Sequence, residues 1–225
     1  MFNKQLAFSD LSVTPVDVYR QMGYGRVLPE ESTRVGVERL LSEANDVVRP
    51  QFSFVVLEGQ LGADWQELSL CGTTLSIGRI IGRQLRGAEA FALFVATAGH
   101  DYDRWRQRSD AVEAYLADAI GSVVAERCAD AMESSLQATV EKLGWKLTNR
   151  FSPGYCQWPV SDQHRLFALI GSDGWCGVRL TDMALMVPVK SVSGVVGVGK
   201  ACRRNDYPCQ LCSFDRCFRR RLPLQ

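Results

Sequence analysis

Histidine is scarce in this chain, with two residues in 225, and that scarcity narrows the chemistry available to it. A Ser-His-Asp or Cys-His site must use His100 or His164. Neither lies in a nucleophile-elbow pattern, and a zinc-hydrolase motif is absent. A surface or capping role is the better reading for both. Net charge is also lacking. A balance of +1 argues against a generic nucleic-acid binder, whose affinity would come from basic surface. No apolar run approaches the about 18 residues of a membrane span, and the opening MFNKQLAFSDLS has no sustained apolar stretch of a signal peptide. A cytoplasmic protein with no membrane contact is expected. Repeats and low-complexity tracts are missing too. What remains, 46% hydrophobic and 23% charged residues, is the composition of an ordinary globular protein long enough to bury a sizeable core without disulfides.

The even charge balance hides an asymmetry. Lys200 to Arg221 holds seven basic residues against Asp206 and Asp215, a net of +5, which leaves −4 for residues 1–199. Four of the eight cysteines, Cys202, Cys209, Cys212 and Cys217, fall in the same stretch. Two units are therefore expected: a domain over 1–199 and a basic four-cysteine tail over 200–225. The spacing C-x(6)-C-x(2)-C-x(4)-C puts four thiolates within 16 residues, a ligand set for structural zinc or an iron–sulfur cluster.

Along the first unit, helices are predicted at 15–24, at 29–48, at 76–86 and from Leu166 to Ile170. Strands are predicted at Gln51–Leu57, Glu67–Cys71, Ala90–Thr97, Trp145–Thr148, Gly177–Leu180 and Ser191–Gly199, with a turn around Gly59–Asp64. Ala90–Thr97 is a continuous apolar run up to its closing threonine, which suggests burial on both faces. Positions 112, 116, 120, 124, 128, 132, 136 and 140 are all apolar or cysteine, an unbroken i, i+4 stripe. It predicts one long helix from Asp110 to Leu143, with a kink suspected at Gly121. Without a regular βαβ alternation, the fold class is α+β: a curved single domain with a mixed or antiparallel central sheet, long flanking helices and a short Cys-rich tail.

Gly194–Lys200, GVVGVGK, matches part of a nucleotide P-loop, but Ala201 stands where a hydroxyl should meet magnesium. No nucleotide role is assigned; the glycines instead let another backbone or a ligand approach closely. A better candidate is Arg150-Phe-Ser-Pro-Gly-Tyr155. Pro153-Gly154 forces a turn, Arg150 can grip a carboxylate bidentately, and Tyr155 and Trp158 offer flat surface. The alternative is an aromatic turn beside a surface arginine.

R-x-x-x-G-Y at 150–155, Trp158-Pro-Val-x-x-Gln163, Gly177-Val-x-Leu-Thr181 and Met186-x-Pro-x-Lys-Ser-Val-Ser-Gly194 together resemble, in order and spacing, the activation domain of cobalamin-dependent methionine synthase. Tyr19–Tyr24 looks like the opening of its stand-alone members. The resemblance implies S-adenosylmethionine binding and presentation of its methyl to the corrinoid of a methyltransferase. With an external electron, that methyl restores methylcobalamin from inactive cob(II)alamin. It implies that Arg150 pairs with the methionine carboxylate and that the backbone of Ser152 and Gly154 meets the adenine. Tyr155 would lie near the ligand or the corrin face, and Glu126 would be a ligand-side acid. Val196 and Gly197 would lie where the family has aromatic neighbours of the ligand. By helical geometry Glu126 sits about 200° round from Val124, so a solvated face is the alternative for it. No residue is matched to the ligand's amino group.

The resemblance further implies a corrinoid-binding methionine synthase, or another corrinoid methyltransferase, as partner, with flavodoxin or ferredoxin as electron donor. The substrate, folate and cobalamin modules do not fit in 225 residues, so action in trans is expected, as a component of methionine synthase activity rather than a complete enzyme. The competing reading is a non-enzymatic zinc-binding protein, or a nucleic-acid docking module, working through the basic tail.

Overall fold

A computed structural model describes residues 1–108, 110–170 and 175–205. Strand β1 (Phe2–Gln5) leads into helices α1 (Pro15–Gln21) and α2 (Glu31–Val47). Strand β2 (Gln51–Leu57) follows, then three short strands β3 (Gly59–Leu61), β4 (Leu68–Leu70) and β5 (Thr73–Leu75). Helix α3 (Gly78–Gln84), strand β6 (Ala90–Thr97), helix α4 (His100–Trp105) and helix α5 (Ala111–Val140) complete the first half. The chain ends its described course with β7 (Lys146–Phe151), α6 (Gln163–Ile170), β8 (Arg179–Leu180), β9 (Met186–Val187) and β10 (Ser191–Gly199).

The expected α+β class holds. Five strands form one sheet in the order β1-β2-β6-β10-β7, and every pairing in it is antiparallel. Strand β6 lies at its centre with all eight residues buried, as its apolar run requires. One face is covered by α1, α2 and α5 and the other by α3, α6 and the β3–β5 sheet, giving two cores divided by the main sheet. Among the described residues, no helix is long and apolar enough to cross a membrane.

Helix α5 forms where the stripe predicts. The Asp110 carboxylate caps it by accepting the Glu113 N–H at 2.8 Å. Of the eight stripe positions only Val112, in the first turn, is exposed. The helix runs unbroken through Gly121, the suspected kink. A Cβ at Gly121 would lie 2.0 Å from the Tyr102 hydroxyl. The missing side chain is thus a notch for Tyr102, which donates to the Ala117 carbonyl at 2.7 Å. The turn expected around Gly59–Asp64 contains a strand, β3, which pairs with β4. The P-loop-like run is also settled: Gly194–Gly199 lies within β10, and Lys200 enters a turn rather than a helix. A Cβ at Gly194 would stand 2.1 Å from the Phe151 carbonyl, so this glycine admits a neighbouring backbone.

The notch makes a stability prediction. Gly121→Ala gains helix propensity, about 1 kcal/mol. It also forces overpacking against a fully buried tyrosine, a cost of about 1–3 kcal/mol, and strains the Tyr102 hydrogen bond. The clash should win, lowering the denaturant midpoint with an unchanged slope. An unchanged or raised midpoint would show that Tyr102 does not need the notch.

Candidate functional site

Strand β7 is one of the two outer strands of the main sheet, and Arg150 stands near its end. Its side chain is turned to helix α5. There it meets three carboxylates, Glu126, Asp130 and Glu133, spaced four and three residues apart and so stacked along one side of the helix. Arg150 donates to Glu126 at 2.9 Å, Asp130 at 2.8 Å and Glu133 at 2.5 Å. The Arg150 side chain is 12% exposed and that of Glu133 10%. Burial opposes the guanidinium's charge, but the attraction of Glu133, Asp130 and Glu126 outweighs it and pushes the arginine above its ordinary range. A second arginine, Arg204, approaches the other oxygen of Glu133 at 3.4 Å. Among the described residues, three carboxylates here face two guanidinium groups.

Such a cluster is a poor way to build stability. Buried ion networks contribute little over well-packed apolar residues of the same volume, because desolvation cancels most of the Coulomb gain. Its merit is chemical: it can grip a ligand carboxylate with the arginine and a ligand cation with the acids.

The Ser152–Trp158 segment adjoins Arg150. Pro153 is buried and Gly154 has φ +95°, a left-handed conformation suited to glycine. The Gly154 N–H donates to the Trp158 carbonyl at 2.8 Å, and the Tyr155 N–H donates to the Ser152 carbonyl at 3.2 Å. The segment is fastened from beneath. Trp158 is 1% exposed and its indole N–H donates to Asp162 at 3.2 Å, while Asp162 also accepts the Ser76 N–H at 2.6 Å. Trp158 therefore offers no flat surface, contrary to expectation; its role is to hold the turn. Tyr155 is 48% exposed and does offer one.

The structure thus brings Glu126 and Arg150 together beside the Ser152–Tyr155 turn. Val196 lies directly across the ladder from Arg150, fully buried. Gly197 is one residue on, its N–H donating to the Thr148 hydroxyl at 2.9 Å, and a Cβ there would lie 3.0–3.3 Å from Ala88, Thr148 and Leu85. Both back the site from inside the sheet. Sequence reasoning missed Asp130, Glu133 and Arg204. The signal for the two acids was the four-then-three spacing that follows Glu126 on a helix already identified. Each histidine bonds a backbone carbonyl, His100 that of Gly177 at 3.1 Å and His164 that of Asp182 at 3.2 Å, in keeping with the surface or capping reading.

Of the tail cysteines, Cys202 is 2% exposed. Cys209, Cys212 and Cys217 lie outside the described residues, and among the described residues no three metal-ligating side chains cluster.

A model of the family described as the vitamin B12 dependent methionine synthase activation domain matches residues 73–217, more than half of the chain. Among solved structures, the chain is similar to one titled as the MetH reactivation domain bound to AdoHcy. The identity is 14% and the TM-score 0.63, over 90% of this chain and 79% of that one, a likeness of fold. A search of curated proteins finds no match.

The buried thiols make a pH prediction. Burial pushes Cys202 up to about 11, with Glu89 adding to it, and pushes Cys128 up to about 12. An unfolded thiol, ordinarily near 9, loses its proton first. Their stabilising effect is thus whole below pH about 9 and is lost as pH rises towards 12, by up to about 1.4 kcal/mol per pH unit for each thiol. Thermal midpoints measured from pH 8 to 11 should fall accordingly. At pH 8, iodoacetamide should label exposed Cys71 well before Cys128 or Cys202. Equal labelling rates would contradict the placement of these two thiols.

Proposed function

We propose that this chain, which belongs to the family of vitamin B12-dependent methionine synthase activation domains, binds S-adenosylmethionine at the Arg150 cluster and presents its methyl group to the corrinoid of a separate methionine synthase. The observation that carries this reading is the cluster itself. Arg150 stands among Glu126, Asp130 and Glu133, beside the Ser152–Tyr155 turn. S-adenosylmethionine carries a carboxylate, an ammonium and a sulfonium, a net charge of +1. A site that offers a guanidinium to the carboxylate and carboxylates to the cationic groups complements it in kind.

In this reading Arg150 exchanges part of its hold on the acids for the ligand carboxylate, and the released acids receive the ammonium. Ser152 and Gly154 would meet the adenine. The Gly154 N–H is already donated to Trp158, so its use for the base requires that bond to open. Tyr155 would give the base or the corrin face a flat neighbour. Val196 and Gly197 would lie behind the ligand and act through the backbone that seats Arg150.

The partner's corrinoid supplies the nucleophilic cobalt that, once reduced by an external electron, takes the methyl and leaves S-adenosylhomocysteine. This chain's contribution is to bind, orient and present. The chain acts in trans, in the cytoplasm, on a methionine synthase or another corrinoid methyltransferase, with flavodoxin or ferredoxin as electron source. Residues 1–199 form the ligand-binding unit, and 200–225 form a tail whose first residues rest on it. Cys202, Cys209, Cys212 and Cys217 would hold zinc or an iron–sulfur cluster, with Cys202 leaving its buried protonated state to do so.

Calorimetric titration with S-adenosylmethionine tests the reading. Arg150→Ala should weaken binding by about 1.5–3 kcal/mol, as for the loss of a hydrogen bond to a charged group. Arg150→Lys should bind worse than wild type because the two-pronged grip is lost. Wild-type affinity in Arg150→Ala would remove this residue from the site. Metal analysis of anaerobically purified protein tests the tail, where one bound centre is expected and none would sink that assignment.

A further inference from the structure

Beyond β10 the chain stays on the domain. The Lys200 N–H donates to Glu89 at 2.7 Å, and the Glu89 N–H donates to the Val198 carbonyl at 2.9 Å. A Cβ at Gly87 would lie 3.2 Å from Ala201, so the segment after α3 packs directly on the residues after β10. Asn205 is clamped from two sides: its carbonyl accepts from the Asn149 side chain at 2.5 Å, and its own amide donates to Gln84 at 3.0 Å. Gly199 lies opposite Lys146 on the ladder. Residues 83–89, the start of β7 and residues 199–205 thus share one fixed surface.

That surface is basic. Arg83, Arg86, Lys146, Lys200 and Arg203 are all exposed. None of their side chains has a carboxylate partner among the described residues, whereas Arg39, Arg106 and Arg127 elsewhere do. Glu89 is the one acid in residues 78–89, 144–151 and 199–205, and one oxygen of its carboxylate accepts the Lys200 N–H. By sequence, the chain beyond Asn205 adds four arginines against two aspartates. Residues 1–199 as a whole carry −4, so the patch does not follow from a basic domain. Like charges gathered without counter-charges repel one another, and the packing beneath holds their backbones in place.

We propose that this basic face is a docking surface for an acidic segment of a partner protein. The docking is independent of what the Arg150 cluster binds, although Lys146 and Arg150 share β7, so a partner seated here is held close to that cluster. Two features select a protein over a nucleic acid. Single strands bind by stacking bases on aromatic side chains along a basic groove, and residues 78–89 and 199–205 contain no aromatic residue. A duplex gripped through many phosphates would run past the patch onto a domain whose balance is −4. A compact acidic segment meets the patch alone. Each exposed pair contributes little by itself; together they steer the encounter and fix its orientation.

The experiment is fluorescence anisotropy of a labelled Asp/Glu-rich peptide titrated with the full chain, beside a labelled single-stranded oligonucleotide and a labelled duplex, at low and high salt. The variants are Arg83→Glu with Arg86→Glu, Lys200→Glu with Arg203→Glu and, as a control, Arg20→Glu with Arg26→Glu on exposed arginines at and after α1. Wild type should bind the peptide at low salt more tightly than either nucleic acid, and added salt should weaken it. Each patch pair should weaken peptide binding about fivefold to tenfold, and the control pair less than about twofold. Arg83→Gln with Arg86→Gln should act in the same direction and less strongly. Denaturation midpoints should stay unchanged, as for exposed side chains in general. Wild type that does not bind the peptide, or patch variants that bind it as wild type does, overturn the docking surface. An equal loss in the control pair overturns it too, by reducing the effect to net charge. Tighter binding of either nucleic acid overturns the choice of a protein partner.

Discussion

A guanidinium lodged between a helix and the outer strand of a sheet must be neutralised where it stands, and here helix α5 does so with three carboxylates. That contact ties the longest helix to the last strand of the sheet. It requires Glu126, Asp130 and Glu133 to share one side of α5 while the apolar stripe takes another. It also requires β7 to present Arg150 to that side and Phe151 to the opposite core. Removing the arginine alone would leave Glu133 buried without its main partner, a situation far costlier than the pair's net worth.

The rest of the fold serves this placement. The Gly121 notch lets Tyr102 pack against α5 and anchor it over the sheet. Gly194 lets β7 approach β10 closely next to Arg150. Trp158 and Asp162 bolt the following turn to the chain ahead of α3, so the turn's outer face is carried on a rigid base. The outcome is a buried guanidinium held by three acids, followed along the chain by a turn that carries a half-exposed tyrosine.

Much of this was legible in the sequence. The stripe from Val112 to Val140 specifies α5 because its period is helical and its length leaves no other reading, and Ala90–Thr97 specifies a central strand because nothing in it is polar until the last residue. Strand β1 was not legible: its four residues are all exposed, and its hold on the sheet comes from pairing with β2 and from Phe2 stacking on Phe54 at 4.9 Å. Helix α4 escaped notice because a six-residue helix carries too little periodicity. Arg150 was marked by its place before the Pro153-Gly154 turn, and Glu126 by the family resemblance. Asp130 and Glu133 were not, because what marks them is a contact with a strand 17 and 20 residues away. Local pattern distinguishes poorly between an acid on a solvated face and one committed to an arginine. The pairing of Arg204 with Glu133 is longer in range still.

The central claim is that Arg150 and the turn after it form the ligand site. It is tested most directly by NMR of protein carrying 15N label in the arginine side chains and backbone, titrated with S-adenosylmethionine. Saturable shifts at the Arg150 guanidinium and at the amides of Gly154 and Tyr155, at one common affinity, are the predicted result. Saturable binding that leaves those three signals in place and moves others would contradict the account.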